Sequence, residues 1–159
     1  MTIPPPLLLF NCGLLVASCN SNAPTWISLP HCHSLFILQN KILSARHIDE
    51  FVSAEIPDPV TDPDLFHLVI KDMLHPRCDV ATTCSCRRDE RNNVCPCVRR
   101  FPKDMCRETV IIPDGYPLYR RRGRHQATLS DGRIITDNWV VPHNAYLLKR
   151  YRAHCNIEV

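Results

Sequence analysis

The 159-residue chain is long enough for one real core and too short for two full ones. Charged residues make up 22% and apolar residues 45%, an ordinary globular composition. The net charge of +3 is too small for a nucleic-acid role to be argued from the total. Its distribution says more: acids cluster from Asp49 to Asp72, while Arg87-Arg88, Arg99-Arg100, Arg120-Arg121-Arg122, Arg124 and Lys149-Arg150-Tyr151-Arg152 gather positive charge in the C-terminal half.

The chain opens on an apolar run from Leu7 to Ala17, and Val16-Ala17-Ser18-Cys19 has the small residues of a processing site. No Lys or Arg precedes that run, and three prolines do, so residues 1–26 read as an atypical leader outside the domain. The run is too short and too interrupted to cross a membrane, so no membrane partner is expected. A reducing compartment follows, which favours metal thiolates over disulfides for the ten cysteines.

A strand is predicted from about Ile27 to Leu38, apolar on both faces and therefore central in its sheet. Side chains two apart on a strand share a face, so His31 and His33 present two imidazoles together while Cys32 faces the other way. Two neutral imidazoles on a rigid strand are a half-site for a divalent cation. The plainer alternative is a pair of histidines at the strand's solvent edge.

Two helices come next. Ser44 caps one running to about Ala54, with Ile48, Phe51 and Val52 as its apolar stripe. Asp62 caps the other, with Pro63 at its first position and Leu65, Leu68, Val69 and Met73 along the core face. From His75 to Cys106 the sequence is cysteine-rich and almost without apolar periodicity, so something must cross-link it if it is ordered. Strands are predicted at Val110–Ile112, Tyr116–Arg120, Arg133–Ile135 and Asn138–Val141, with turns at Asp114-Gly115 and Asp131-Gly132. A short helix over Ala145–Tyr151 and the start of a strand at Asn156–Val159 complete the pattern. The fold class is α+β: an antiparallel sheet, flanking helices and a cysteine-rich insertion over residues 75–106.

Several blocks, in order, resemble the N-terminal Rep-like (Helitron helicase-like) domain of Helitron transposases. They are Leu29-Pro-His-Cys-His33, Val52-Ser-Ala-Glu-Ile-Pro-Asp58, Phe101-Pro-Lys103 and Asp114-Gly-Tyr-Pro-Leu-Tyr-Arg-Arg-Arg122. Asp137-Asn-Trp-Val-Val-Pro142, Tyr146-Leu-Leu-Lys149 and Ala153-His-Cys-Asn-Ile-Glu-Val159 continue the series, so the resemblance covers residues 27–159. By that resemblance His31-Cys32-His33 is an HUH motif, whose histidines hold Mn²⁺ or Mg²⁺ against the scissile phosphate. The resemblance further implies single-stranded DNA as partner, a nuclear location, and nicking with strand transfer by a tyrosine nucleophile. The family's nucleophilic tyrosines lie beyond the segment matching Asn156–Val159, and its helicase domain has no counterpart motif here. The expectation is therefore binding without cutting. A non-catalytic nucleic-acid-binding zinc module and a decayed transposon relic are the alternatives.

His75, Cys78, Cys86 and Cys97 form the expected Zn²⁺ set, with Cys84 and Cys95 as substitutes. Thiolates at short spacings suit tetrahedral zinc, and the family's own cysteines in this region match Cys78, Cys86 and Cys97. Disulfides and unpaired thiols remain as alternatives at this point. Tyr116, Tyr119, Arg120, Arg121, Arg122 and Arg124 are the expected nucleic-acid contacts: arginines for phosphate, tyrosines for stacking on unpaired bases. Against this stands the reading of the tract as a solvated rim.

Overall fold

Both predicted helix starts are found in the computed structural model of the chain, which describes residues 13–17, 33–37, 44–75, 97, 99–113 and 115–159. Ser44 accepts a hydrogen bond from the His47 N–H at 3.2 Å and opens α1, Ala45–Phe51. Asp62 accepts from the Leu65 N–H at 3.2 Å and opens α2, Pro63–Asp72, with Pro63 in the first turn, where a missing N–H costs nothing. The chain divides into two units, Met1–Lys41 and Ile42–Val159.

In the first unit β1, Gly13–Ala17, pairs antiparallel with β2, His33–Ile37, so that Ala17 lies opposite His33 and Gly13 opposite Ile37. The partner of the histidine strand thus comes from the stretch expected to be a leader. Among the described residues β2 has no second neighbour, which differs from the central position its apolar faces suggested.

In the second unit the core forms where α2 and the C-terminal α3, Ala145–Tyr151, meet the segment between them. Leu65, Leu68, Val69 and Met73 of the expected stripe are all buried, together with Ile56, Ile135, Trp139, Val140 and Leu148. Each such large apolar side chain contributes about 1.5–3 kcal/mol on leaving water. α3 occupies the predicted span, capped by Asn144 accepting from the Leu147 N–H at 2.9 Å. Ionic clamps tie the two helices: Lys149 Nζ lies 2.6 Å from Asp62 and Arg152 Nη2 3.0 Å from Asp64.

Five predicted elements differ, two of them in the Val110–Arg120 segment. α1 stops at Phe51 because Val52–Ile56 is drawn out straight: Ser53 and His143 exchange both backbone hydrogen bonds, at 2.8 and 2.9 Å. Asn138–Val141 is not a strand. Asp137–Trp139 closes a 3₁₀ turn, with Val140 N–H donating to the Asp137 carbonyl, and this turns Trp139 into the core. Asn156–Val159 has no regular structure; it is fastened by Ile157 N–H to the Pro142 carbonyl and Val159 N–H to the Tyr119 hydroxyl.

The predicted turn at Asp131-Gly132 is present; of the other, Asp114 lies outside the described residues, and Gly115 N–H donates to the Ile112 carbonyl at 3.3 Å. Gly132 (φ 81°) joins β3, Ala127–Thr128, to β4, Ile134–Ile135, in a left-handed conformation that a side chain would strain. The predicted strands Val110–Ile112 and Tyr116–Arg120 are not formed as strands; the segment is held by isolated bridges, Val110 to Leu118 and, beside it, Cys106 to Arg121. Two two-stranded antiparallel sheets and three α-helices make the described residues α+β. Among them no helix is long and apolar enough to cross a membrane.

Candidate nucleic-acid interface and metal ligands

The arginine tract faces inward. Arg121 is only 3% exposed, and its Nη1 donates to the carbonyls of Ala54 (3.2 Å), Val140 (2.8 Å) and Asp137. Asp137, equally buried, spreads its carboxylate over two remote backbone donors, Ile56 N–H at 2.8 Å and Gly123 N–H at 2.7 Å. Burial lowers Arg121 to a pKa of about 10, which Asp137 and Glu55 partly offset, so it stays cationic at neutral pH. Burial raises the Asp137 carboxyl above its ordinary value, with the two N–H donors opposing.

The flanking arginines are equally committed. Arg122 meets Glu55 at two points, Nη2 to Oε2 at 2.6 Å and Nε to Oε1 at 2.7 Å, and its backbone N–H adds a third bond at 3.0 Å. Arg120 reaches Asp49 at 2.8 Å and Glu55 at 3.3 Å. Burial would raise Glu55, but the hydrogen bonds and charge of Arg122 outweigh it and hold the carboxyl below its usual range. Tyr119 is buried, with its hydroxyl accepting from Val159 N–H at 3.1 Å, and burial raises its pKa.

The expected phosphate stripe is therefore corrected at its centre. A guanidinium that donates to three backbone carbonyls in the interior cannot also meet a phosphate in solvent, and a buried ring cannot stack on a base. Of the six residues, Tyr116 (70% exposed) and Arg124 remain at the surface, while Arg120 and Arg122 are half-buried in ion pairs. A shallow cleft of about 440 Å³ lies beside Arg120. Its charged lining sets Asp49, Glu50 and Glu108 against Arg46 and Arg120, so it offers an anion no net attraction.

The cysteine segment is described at its two ends. His75 Nε2 lies 3.3 Å from Cys97 Sγ, although 22 residues separate them. Around one tetrahedral zinc, bonds of about 2.0 Å to nitrogen and 2.3 Å to sulfur put the two donor atoms about 3.5 Å apart, so this pair fits one edge of such a site. The His75 ring stacks on Phe101 with centroids 4.2 Å apart, and its backbone N–H donates to the Trp139 carbonyl at 2.9 Å. Burial, with Arg99 and Lys103 nearby, lowers its pKa and keeps the imidazole in the neutral form that binds metals. Cys78, Cys86 and His31 lie outside the described residues; His33 begins β2. Among the described residues no three His, Cys, Asp or Glu side chains converge as a metal would require.

Sequence reasoning missed the turn that follows Cys97. Arg100 N–H donates to the Cys97 carbonyl at 2.7 Å, Arg100 takes a left-handed φ of 56°, and Lys103 N–H donates to the Asn138 carbonyl at 2.8 Å. The Lys103 ammonium sits over the Phe101 ring, 5.1 Å from its centroid. The signal was in the sequence, as three cations in five residues.

No family model matches the chain, and no curated protein matches it.

Proposed function

We propose that the chain is part of a Rep-like, HUH-type domain of the Helitron transposase kind and that it binds single-stranded DNA. The observation that carries this reading is how its sequence blocks meet in space. Glu55 and Ile56 of one block, Arg120–Arg122 of another and Asp137 of a third are bonded directly to one another. Lys103 of a fourth block is pinned to Asn138. Blocks that depend on each other for charge and hydrogen bonding are expected to occur together in order, which is how they occur in this chain.

In this reading His31 and His33 would hold Mn²⁺ or Mg²⁺, which would supply Lewis-acid polarisation of a phosphate, and His75, Cys78, Cys86 and Cys97 would hold Zn²⁺ across the 75–106 insertion. Mn²⁺ suits an imidazole pair better than Mg²⁺, which prefers oxygen ligands. A zinc-stabilised binding module without nuclease chemistry is the second reading, favoured by the His75–Cys97 contact.

Fluorescence anisotropy with labelled single- and double-stranded 30-mers tests the binding. Preference for the single strand is the expected result, and equal or absent binding overturns the reading. Titration with Mn²⁺ followed by paramagnetic broadening separates the two readings. Selective broadening at His31 and His33 supports the HUH-type domain, whereas single-strand binding without it supports the module; neither reading expects a covalent adduct.

A further inference from the structure

Among the described residues the cations of the second unit differ in their partners. Arg120 and Arg122 are paired with Asp49 and Glu55, Lys149 and Arg152 with Asp62 and Asp64, and Arg133 with Asp131. Arg121 spends its hydrogen bonds on interior carbonyls. Arg99, Arg100 and Lys103 differ from all of these. They stand on one turn, Arg99 and Arg100 exposed and Lys103 half-buried. Among the described residues none of the three makes an ion pair with a carboxylate, and neighbouring Asp104 makes none with them.

The turn is also held in place. The bonds from Arg100 to Cys97 and from Lys103 to Asn138 fix it at both ends. Phe101 fixes its middle, stacked against His75 at 4.2 Å and Trp139 at 6.4 Å. Arg100 holds a backbone conformation that favours glycine, so a large cationic side chain is kept where a smaller residue would be more comfortable. The charges repel each other: after burial, Arg121 and Arg100 are what lower Lys103, while Cys97 and Glu158 offset only part of this. Like charges gathered on an anchored turn, with no carboxylate in ion-pair contact among the described residues, are arranged for an external polyanion.

We propose that the Arg99–Lys103 turn is where this chain grips the phosphodiester backbone of a single-stranded nucleic acid. The choice of nucleic acid as the polyanion rests on the reading under Proposed function; the anionic chemistry rests on the turn alone. Side chains on an anchored turn lose little further freedom on binding, which favours them over equally charged but isolated surface arginines. Arg107, Arg124 and Arg150 are exposed and likewise without ion pairs among the described residues, but no two of them are neighbours in sequence.

The test measures the salt dependence of binding to fluorescent oligo-dT and to fluorescent heparin. It uses the full chain, Arg99→Gln/Arg100→Gln, and the control Arg107→Gln/Arg150→Gln, which removes the same charge elsewhere. Each lost contact flattens the logarithmic slope by about 0.7 for a single strand, so the turn variant is expected to flatten it by about 1.4 and the control by less than about 0.3. Circular dichroism melts check that both variants fold; Lys103→Gln is the substitute if the pair does not, with an expected loss of about 0.7. Oligo-dT binding whose slope falls equally in the control, or in neither variant, overturns the turn as the site and leaves DNA binding standing. Heparin binding that depends on the turn, without oligo-dT binding, keeps the anion site and overturns the nucleic-acid reading. Binding to neither probe overturns both.

Discussion

Glu55 and Arg122 form a two-point ion pair across 67 residues of chain, Nη2 to Oε2 at 2.6 Å and Nε to Oε1 at 2.7 Å. The same carboxylate takes Arg120 at 3.3 Å, so one acid at the end of an extended segment neutralises two members of the arginine tract. Both side chains are largely shielded, at 14% and 26% exposure, which puts the pair between a surface bridge and a buried one.

Glu55→Gln should therefore lower stability by about 2–3 kcal/mol, less than the roughly 3–5 kcal/mol of a fully buried pair. Urea unfolding followed by tryptophan fluorescence measures it. A loss under about 0.5 kcal/mol would show that the pair behaves like an ordinary surface bridge.

Arg120→Gln with Arg122→Gln is the counterpart on the other side. Read as phosphate ligands, these arginines would flatten the salt slope of DNA binding by about 1.4 when removed. Read as partners of Asp49 and Glu55, their loss shifts the unfolding midpoint and leaves the slope of the folded protein within about 0.3. The slope is measured at a temperature where circular dichroism shows the variant folded. A flattened slope at unchanged stability would restore them to the interface.

Acid should destabilise the fold through His143, whose side chain has no exposure and whose Nδ1 lies 3.0 Å from the Val141 carbonyl. Burial lowers its pKa, the Val141 carbonyl raises it, and the Arg121 charge lowers it further, for a net fall. The sign follows from the proton count. The unfolded chain takes up a proton near pH 6.5 that the folded one refuses, so stability is full above about pH 6.5 and is lost as the pH drops. Glu55, held low in the fold, adds a further loss only below its ordinary range near pH 4.5. Urea midpoints between pH 5 and 7.5 should fall on acidification, and His143→Gln should flatten part of that fall. An unchanged profile in the variant would remove His143 as a cause.

Zinc has its own check. The purified chain should carry one Zn²⁺ by elemental analysis and lose it to a strong chelator. Cys97→Ser should weaken retention at least tenfold, because a hydroxyl is a poor ligand for this ion. Since Arg100 is bonded to the Cys97 carbonyl, removing the metal should also shift the amide resonances of Arg99 to Lys103. A metal-free protein with those resonances unchanged on adding Zn²⁺ would refute the site.

The helices were legible because their determinants are local. Ser44, Asp62 with Pro63, and the apolar spacing of Leu65, Leu68, Val69 and Met73 act within one or two turns of the residues they control, and the two helices start where those residues put them. α3 was readable over its full span for the same reason. Asn138–Val141 was not, although its residues favour strands. Its shape depends on the bonds of Asp137 to Ile56 and Gly123, partners 81 and 14 residues away that no local window contains.

Charge divides along the same line. The acids from Asp49 to Asp72 and the bases of the C-terminal half were visible as two blocks of opposite sign. Only the tertiary structure decided that they neutralise each other, Asp49 and Glu55 taking Arg120 and Arg122, and Asp62 and Asp64 taking Lys149 and Arg152. A guanidinium looks the same in a sequence whether it will meet a phosphate or a carboxylate, because the choice depends on which group folding brings within about 3 Å of it. That distance, set by packing far along the chain, turned Arg121 inward and left Arg99, Arg100 and Lys103 without ion pairs among the described residues.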